Sequence, residues 1–230
     1  MPADLVLIAL LLLVLVAAVV SFVAMGLLQA RRAQALARAA YDLQLRFSHS
    51  DPFDLPLRYR ALALIRSGHS PRASNVIYGR LKGRQVRCFD FRYEAGHGPR
   101  RVSRNYRVVV TETAGELDPV IMWNDRDRDW TPLEAQPSAG RLGDWSFKGS
   151  AEAVQTLGEV CHEVSELGVN VQCAGRVLML CVPLEGRSPA GVMLIEPALA
   201  AADRLEPAVA ENPTETAPDK GEASTDRADE

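Results

Sequence analysis

Residues 75–93 read NVIYGRLKGRQVRCFDFRY, and this stretch decides the fold class. Two runs rich in β-branched and aromatic residues, Asn75–Arg80 and Arg84–Tyr93, lie on either side of the connection Leu81-Lys82-Gly83. A short connection that contains glycine, placed between two such runs, is typical of a β-hairpin. The stretch therefore predicts a pair of adjacent antiparallel strands.

Because side chains alternate between the two faces of a strand, the second run also predicts which face is buried. Three aromatic residues share one face, and we expect that face to pack in the core: Phe89, Phe91 and Tyr93. Asp90 lies on the opposite face, between aromatic neighbours. We interpret Asp90 as a partly buried structural carboxylate that pairs with an arginine, rather than as a catalytic acid, because carboxylates of this kind are more often structural.

The rest of the domain continues with strands and helices. Further strands are predicted at 104–113, 119–123, 169–173 and 176–182, the last two as a second hairpin. Ser150 is a typical N-cap for a helix that runs to Leu167, and another helix is predicted over 189–205. With a short helix over 57–66, these elements predict an α+β domain that has a mainly antiparallel sheet and packed helices.

The run from Leu5 to Leu28 contains only apolar or small residues and no charge. At about 1.5 Å per residue it reaches roughly 36 Å, enough to cross a hydrocarbon core of about 30 Å. A cleavable signal peptide is the alternative, because Ala33-Gln34-Ala35 offers a small-x-small cleavage site. The length of the run, the lack of Lys or Arg before it, and the arginines at 31 and 32 favour an uncleaved transmembrane anchor.

The charges beside this run predict its orientation. Arg31, Arg32 and Arg38 all follow the run, so the positive-inside rule places the N-terminus outside and the C-terminal domain in the cytoplasm. We divide the chain into four parts: a transmembrane anchor (1–29), a juxtamembrane stalk helix and linker (30–56), an α+β globular domain (57–205) and an acidic tail (206–230). The tail has eight acidic residues against two basic ones and no aromatic residue, so we expect it to be disordered.

The net charge of −3 hides a strong segregation of charge along the chain. From Arg58 to Arg107 there are thirteen basic and two acidic residues, and from Val108 to Leu205 there are seven basic and fifteen acidic residues. Either the two halves neutralise one another in the fold, or a basic face contacts anionic lipid headgroups. Nucleic acid is the less favoured partner. The residues predicted to contact an anionic surface flank a Gly-Pro turn: Arg100, Arg101 and Arg104.

Four cysteines, Cys88, Cys161, Cys173 and Cys181, are scattered without a CxxC pair. In a cytoplasmic domain they would remain reduced. His162 follows Cys161, but the spacings fit no zinc site, and buried cysteines commonly serve as small core residues. The sequence therefore predicts no metal at the cysteines.

The alternating acids Asp125, Asp127 and Asp129 suggest a calcium loop. However, Trp130 occupies the position of the required glycine, and Gln136 that of the terminal glutamate. The interleaved arginines at 126 and 128 would also repel a cation. We therefore predict a solvated, self-paired loop with no metal.

The hairpin sequence resembles a motif of the type NVhxGxxxGxxVxxFDYxY in an uncharacterised family of bacterial single-pass membrane-anchored proteins. The matching residues are Asn75-Val76-Ile77-Tyr78-Gly79, Gly83, Val86 and Phe89-Asp90-Phe91-Arg92-Tyr93, with Phe91 where the motif has Tyr. The resemblance covers roughly residues 55–205. It implies a bacterial origin and carries no activity, cofactor or catalytic residue.

No catalytic pattern stands out in this sequence. Gly68-His69-Ser70 lacks the GxSxG elbow, and no glycine-rich loop is placed to cradle a phosphate, so we predict no cofactor and assign no catalytic residue. We expect a single-pass inner-membrane protein whose domain is a non-enzymatic binding or scaffolding module for a protein partner or the membrane surface. The alternative is an enzyme with a site that is not recognisable from sequence.

Overall fold

The computed structural model of this chain describes residues 3–125, 127, 138–164, 167–184 and 192–206. The described strands form one nine-stranded sheet in the order β1-β2-β3-β4-β9-β8-β5-β7-β6, and every pairing is antiparallel. The strands are β1 (Arg46–Ser50), β2 (His69–Leu81), β3 (Arg84–Ala95), β4 (Val102–Glu112), β5 (Val120–Asn124), β6 (Gly140–Leu142), β7 (Trp145–Lys148), β8 (Asn170–Ala174) and β9 (Val177–Pro183). With the helices described below, this sheet confirms the predicted α+β fold.

The helices are α1 (Ala3–Asp42), α2 (Leu55–Arg58), α3 (Ala151–Glu163) and α4 (Ile195–Leu205). Ser150 caps α3 as predicted, because its hydroxyl accepts a hydrogen bond from the Ala153 amide at 3.3 Å. Pro197 lies in the first turn of α4, where the absence of an amide hydrogen costs no intrahelical bond. The predicted helix over 57–66 is instead the single turn α2 followed by tight turns.

The predicted hairpin joins β2 to β3, and its strands are longer than the sequence runs suggested. Lys82 and Gly83 have φ angles of 52° and 79°, so both residues of the two-residue turn are left-handed. Two left-handed residues in a tight hairpin turn match the right-handed twist of the flanking strands. The glycine therefore fixes the register between β2 and β3.

The sheet is covered on both faces. The aromatic face of β3 is buried as predicted, and it packs against residues 55–65, where Leu55, Leu62 and Leu64 are buried. The opposite face, which holds Val86 and Cys88, packs against α3, α4 and the end of α1. Alternation alone could not reveal the second layer, because it comes from helices distant in sequence.

Helix α1 joins the apolar run to the domain without a break. Its first part is apolar and exposed, and it is long and apolar enough to cross a membrane. Its last part lies on the sheet, where Ala33, Leu36 and Ala40 are buried. The stalk helix predicted within residues 30–56 ends at Asp42, because Gln44 turns the chain back into β1 with a φ of 57°.

Candidate functional site at the anchor end of the sheet

Helix α1 leaves the sheet at one particular end. Near its C-terminus, Leu36 and Ala40 share a core cluster with Val86, early in β3. Further back, α1 lines a cavity with Asp90 and Arg92, late in β3. The apolar part of α1 is therefore next to the end of the sheet where β3 ends and β4 begins. We call this the anchor end, and the end that carries the Lys82-Gly83 turn the far end.

A cavity of about 600 Å³ lies between α1 and the sheet at the anchor end. One wall is the segment of α1 from Gly26 to Ala33, at the point where the apolar run gives way to charged residues. The opposite wall is polar and comes from four strands: His49 (β1), Asn75 (β2), Asp90 and Arg92 (β3), and Asn105 (β4). We call this space the α1–sheet cavity.

Asp90 is the centre of the polar wall. Its Oδ1 accepts a hydrogen bond from Arg107 Nε at 2.5 Å, and its Oδ2 accepts one from Asn75 Nδ2 at 2.8 Å. Arg32 on α1 places its Nη2 atom 3.6 Å from the same Oδ1 atom. One carboxylate thus faces two guanidinium groups, so Asp90, Arg32 and Arg107 together carry a net positive charge.

The two guanidinium groups differ in accessibility. The side chain of Arg107 is 1% exposed, while that of Arg32 is 38% exposed and lines the α1–sheet cavity. Within the described residues, Arg107 Nη1 and Arg32 Nη2 are buried without a hydrogen-bond acceptor. Asp90 therefore accepts hydrogen bonds from only some of the guanidinium N–H groups around it.

The arginines predicted to contact an anionic surface all lie at the anchor end. Arg100 and Arg101 are exposed in the connection between β3 and β4, and Arg104 is half-buried opposite Tyr93. Arg101 Nη1 lies 3.0 Å from Glu94 Oε2. Arg100 and Arg101 therefore lie in one connection, whereas Arg104 lies on β4 on the aromatic face, opposite the face that α1 covers.

Two further arginines, which were not predicted from the sequence, also lie at the anchor end. Arg72 and Arg92 are register partners on β2 and β3, and with Arg101 and Glu94 they line a second cavity of about 210 Å³. Their separation in sequence hides this proximity, which depends on the strand register. We call the whole group the anchor-end arginines: Arg72, Arg92, Arg100, Arg101 and Arg104.

At the far end, basic and acidic side chains pair with one another. Arg87 Nη1 donates to Glu112 Oε1 at 2.7 Å, and Arg58 Nη2 donates to the same atom at 3.1 Å. Burial alone would raise the pKa of Glu112, but these two arginines outweigh burial and hold the pKa below 4.5. Arg84 pairs with Asp203 at 2.7 Å and also with Glu206. Neutralisation between the two halves of the sequence therefore occurs at the far end, while the described residues beside the connection between β3 and β4 include more arginines than acids.

The four cysteines are all buried. Burial raises the pKa of Cys88 to about 11 and that of Cys161 and Cys173 to about 12, and it raises that of Cys181 as well. Such thiols are poor nucleophiles because little thiolate forms. Among the described residues, no three His, Cys, Asp or Glu side chains are grouped to hold a metal ion.

Within residues 125–129, the acids that the structure describes form hydrogen bonds or ion pairs with other parts of the fold. Asp125 pairs with Arg141 and accepts a hydrogen bond from the Ser146 hydroxyl at 2.9 Å. Asp127 accepts hydrogen bonds from Asn170 Nδ2 at 2.7 Å and from the Tyr106 hydroxyl at 3.2 Å. The prediction for Asp129 lies outside the described residues, as does that for nearly all of the acidic tail.

Neither of two sequence comparisons gives this chain a family: no family model matches it, and no curated protein matches it. The fold is similar to the crystal structure of the mycobacterial trehalose monomycolate transport factor A, TtfA, with a TM-score of 0.57. The two chains are 13% identical, and the similarity covers 76% of this chain and 94% of that one. At this identity the likeness shows a shared fold.

Proposed function

We propose that this chain is a bacterial inner-membrane protein whose cytoplasmic domain is a non-catalytic binding module that rests on the inner leaflet. The observation that carries the proposal is the continuity of α1. One helix contains both the apolar run and the buried residues Ala33, Leu36 and Ala40 that pack on the sheet. A helix docked in this way cannot swivel freely, so it holds the anchor end of the sheet toward the bilayer.

The charge distribution supports the same orientation. Five anchor-end arginines lie near the connection between β3 and β4, next to the apolar part of α1, and Arg101 among them pairs with Glu94. Each basic residue near an anionic leaflet contributes about 1 kcal/mol of attraction. Arginines after the apolar run also favour a cytoplasmic domain by the positive-inside rule. Among the partners considered from sequence, the membrane surface is therefore better supported than a protein partner or nucleic acid.

The similar solved structure is that of a mycobacterial trehalose monomycolate transport factor. Because the similarity is limited to the fold, we take from it only that a transport factor can have this fold, which is compatible with a non-catalytic role at the membrane. The four cysteines are buried and poorly suited to nucleophilic attack, which weighs against an enzyme that uses a cysteine nucleophile.

Fluorescence quenching in a bilayer tests the proposed orientation. The full chain would be reconstituted in nanodiscs that contain anionic lipid and a quencher attached to lipid headgroups. A fluorophore is attached at His97→Cys, in the exposed connection at the anchor end, or at Glu116→Cys, near the far end. The two positions are separated by most of the length of β3, roughly 30 Å. The native cysteines are buried and do not compete for the label.

We expect strong quenching at position 97 and weak quenching at position 116. Replacing Arg100, Arg101 and Arg104 together by Gln should reduce quenching at position 97. High salt should do the same, because it shortens the distance over which surface charges act to less than about 8 Å. The matched control replaces Arg80 by Gln, a basic residue near the far end. Equal quenching at positions 97 and 116 would contradict the proposed orientation.

A further inference from the structure

We propose that the α1–sheet cavity binds the phosphate group of an anionic membrane phospholipid, with Arg32 as its principal ligand. This inference rests on the proposed function, because it requires the anchor end to face the bilayer. It goes further by assigning one ligand chemistry to one cavity. The anchor-end arginines would provide general attraction to the leaflet, while the cavity would hold a single headgroup.

The position of the cavity along α1 supports a lipid ligand. Its helical wall begins at Gly26, inside the apolar run, and ends at Ala33, beyond Arg31 and Arg32. Arg32 lies four residues after Leu28, the last residue of the run, which is about 6 Å along the helix. Phospholipid headgroups occupy the layer immediately outside the hydrocarbon core. The cavity therefore opens at the level where phosphates lie.

The charges of the cavity favour an anion. The single negative charge of Asp90 is already engaged by Arg107 at 2.5 Å and by Asn75 at 2.8 Å. Arg32 is 3.6 Å from Asp90, outside hydrogen-bond range, and more than a third of its side chain remains exposed. Arg92 adds a second guanidinium to the lining. Three guanidinium groups, those of Arg32, Arg92 and Arg107, thus surround one carboxylate, so a phosphate near Arg32 would meet a net positive charge.

The shape of the α1 wall is suited to a headgroup. The nearest helical residues of the lining are small, Gly26, Ala30 and Ala33, with Gln29 between them. A β-carbon added at Gly26 would meet no atom within 4 Å, so the space beside it is open. Guanidinium groups bind phosphate oxygens through paired hydrogen bonds, which explains why arginine suits this position better than lysine.

Native mass spectrometry of the full chain tests the proposal. The chain is released from nanodiscs of phosphatidylcholine that contain a minor fraction of phosphatidylglycerol, and the retained lipids are counted. We expect one retained phosphatidylglycerol per chain. Arg32→Gln should reduce retention about tenfold or more, as expected for the loss of a charge-assisted pair, and Arg32→Lys should have a smaller effect. Arg31→Gln is the matched control, because Arg31 is the adjacent exposed arginine on the same helix.

A second variant tests the cavity without changing charge. Gly26→Leu places a side chain in the open space and should abolish retention, whereas Ala24→Leu adds the same side chain at an exposed position that does not line the cavity. Retention unchanged in both Arg32→Gln and Gly26→Leu would overturn the proposal. Because Gly26→Leu leaves the network around Asp90 intact, it remains informative if Arg32→Gln fails to fold.

A binding experiment with inorganic phosphate distinguishes a phospholipid ligand from free phosphate. Phosphate binding that depends on Arg32, without retained phospholipid, would overturn the assignment to a lipid and identify free phosphate as the ligand. The quenching at position 97 is measured on the same variants. Strong quenching with no retained lipid would remove the cavity proposal while the proposed function stands, and weak quenching would remove the proposed function itself.

Discussion

Asp90 and Arg107 are direct cross-strand partners on β3 and β4, and Arg107 Nε lies 2.5 Å from Asp90 Oδ1. Both side chains lie on the face of the sheet that α1 covers, and Arg107 is almost fully buried. A buried guanidinium is costly unless a carboxylate or another acceptor compensates its charge. Asp90 therefore compensates the charge of Arg107 on the face that α1 covers, and Arg32 remains as a second guanidinium beside the same carboxylate.

Removal of the Asp90 carboxylate should lower the free energy of unfolding, because Arg107 is then buried without a partner of opposite charge. We expect Asp90→Asn to lower the free energy of unfolding by about 2–3 kcal/mol, because the amide keeps one acceptor oxygen but loses the charge. Combining it with Arg107→Met should recover part of the loss, since both charges are then gone. Denaturant unfolding of the two single variants and the double variant gives the coupling energy. Additive losses would show that the two side chains do not act as a pair.

The aromatic face of β3 should dominate stability. Phe91 is fully buried, so Phe91→Ala should cost about 3–5 kcal/mol through lost burial and a residual cavity. Tyr41→Ala is the matched control, because that ring is 82% exposed and its loss should change stability by no more than about 0.5 kcal/mol. Thermal unfolding of the detergent-solubilised chain measures both. Equal melting temperatures for the two variants would contradict the assignment of this face to the core.

Low pH should lower the stability of the fold, because it protonates Glu112 at the far end. Its pKa in the folded chain lies below 4.5, so it contributes stability that is present above its unfolded pKa and is lost as the pH falls through the lowered folded pKa. Glu112→Gln should reduce stability near neutral pH and flatten the loss of stability below about pH 5. Unfolding midpoints measured across this range test the effect. Glu116→Gln, at a nearby exposed carboxyl, should leave the profile unchanged.

The cytoplasmic location can be tested with an engineered cysteine. Cys88 is fully buried and its pKa is raised to about 11, so the native thiols should not react with a membrane-impermeant reagent in the folded chain. Gln155→Cys places a thiol on the exposed face of α3. In intact cells we expect labelling of this thiol only after the inner membrane is opened. Labelling from the periplasm would reverse the orientation, and the unmodified chain provides the unlabelled control.

Features that depend on neighbouring residues could be predicted from the sequence. The turn at Lys82-Gly83, the alternation around Phe91 and the cap at Ser150 are local, because backbone preference and side-chain period act over a few residues. The uncharged run from Leu5 to Leu28 likewise identified the candidate membrane helix, since length and composition decide whether a helix can span a bilayer.

The contacts between charges that are distant in sequence depend on how the chain packs in three dimensions. Asp90 lies beside Arg32 because α1 folds back onto the sheet, and Arg72 joins Arg92 because β2 and β3 adopt one register. The same packing pairs Glu112 with Arg87 at the far end. Electrostatic energy depends on distance and burial in three dimensions, so the order of charges along the chain could reveal their segregation but not where that segregation is cancelled.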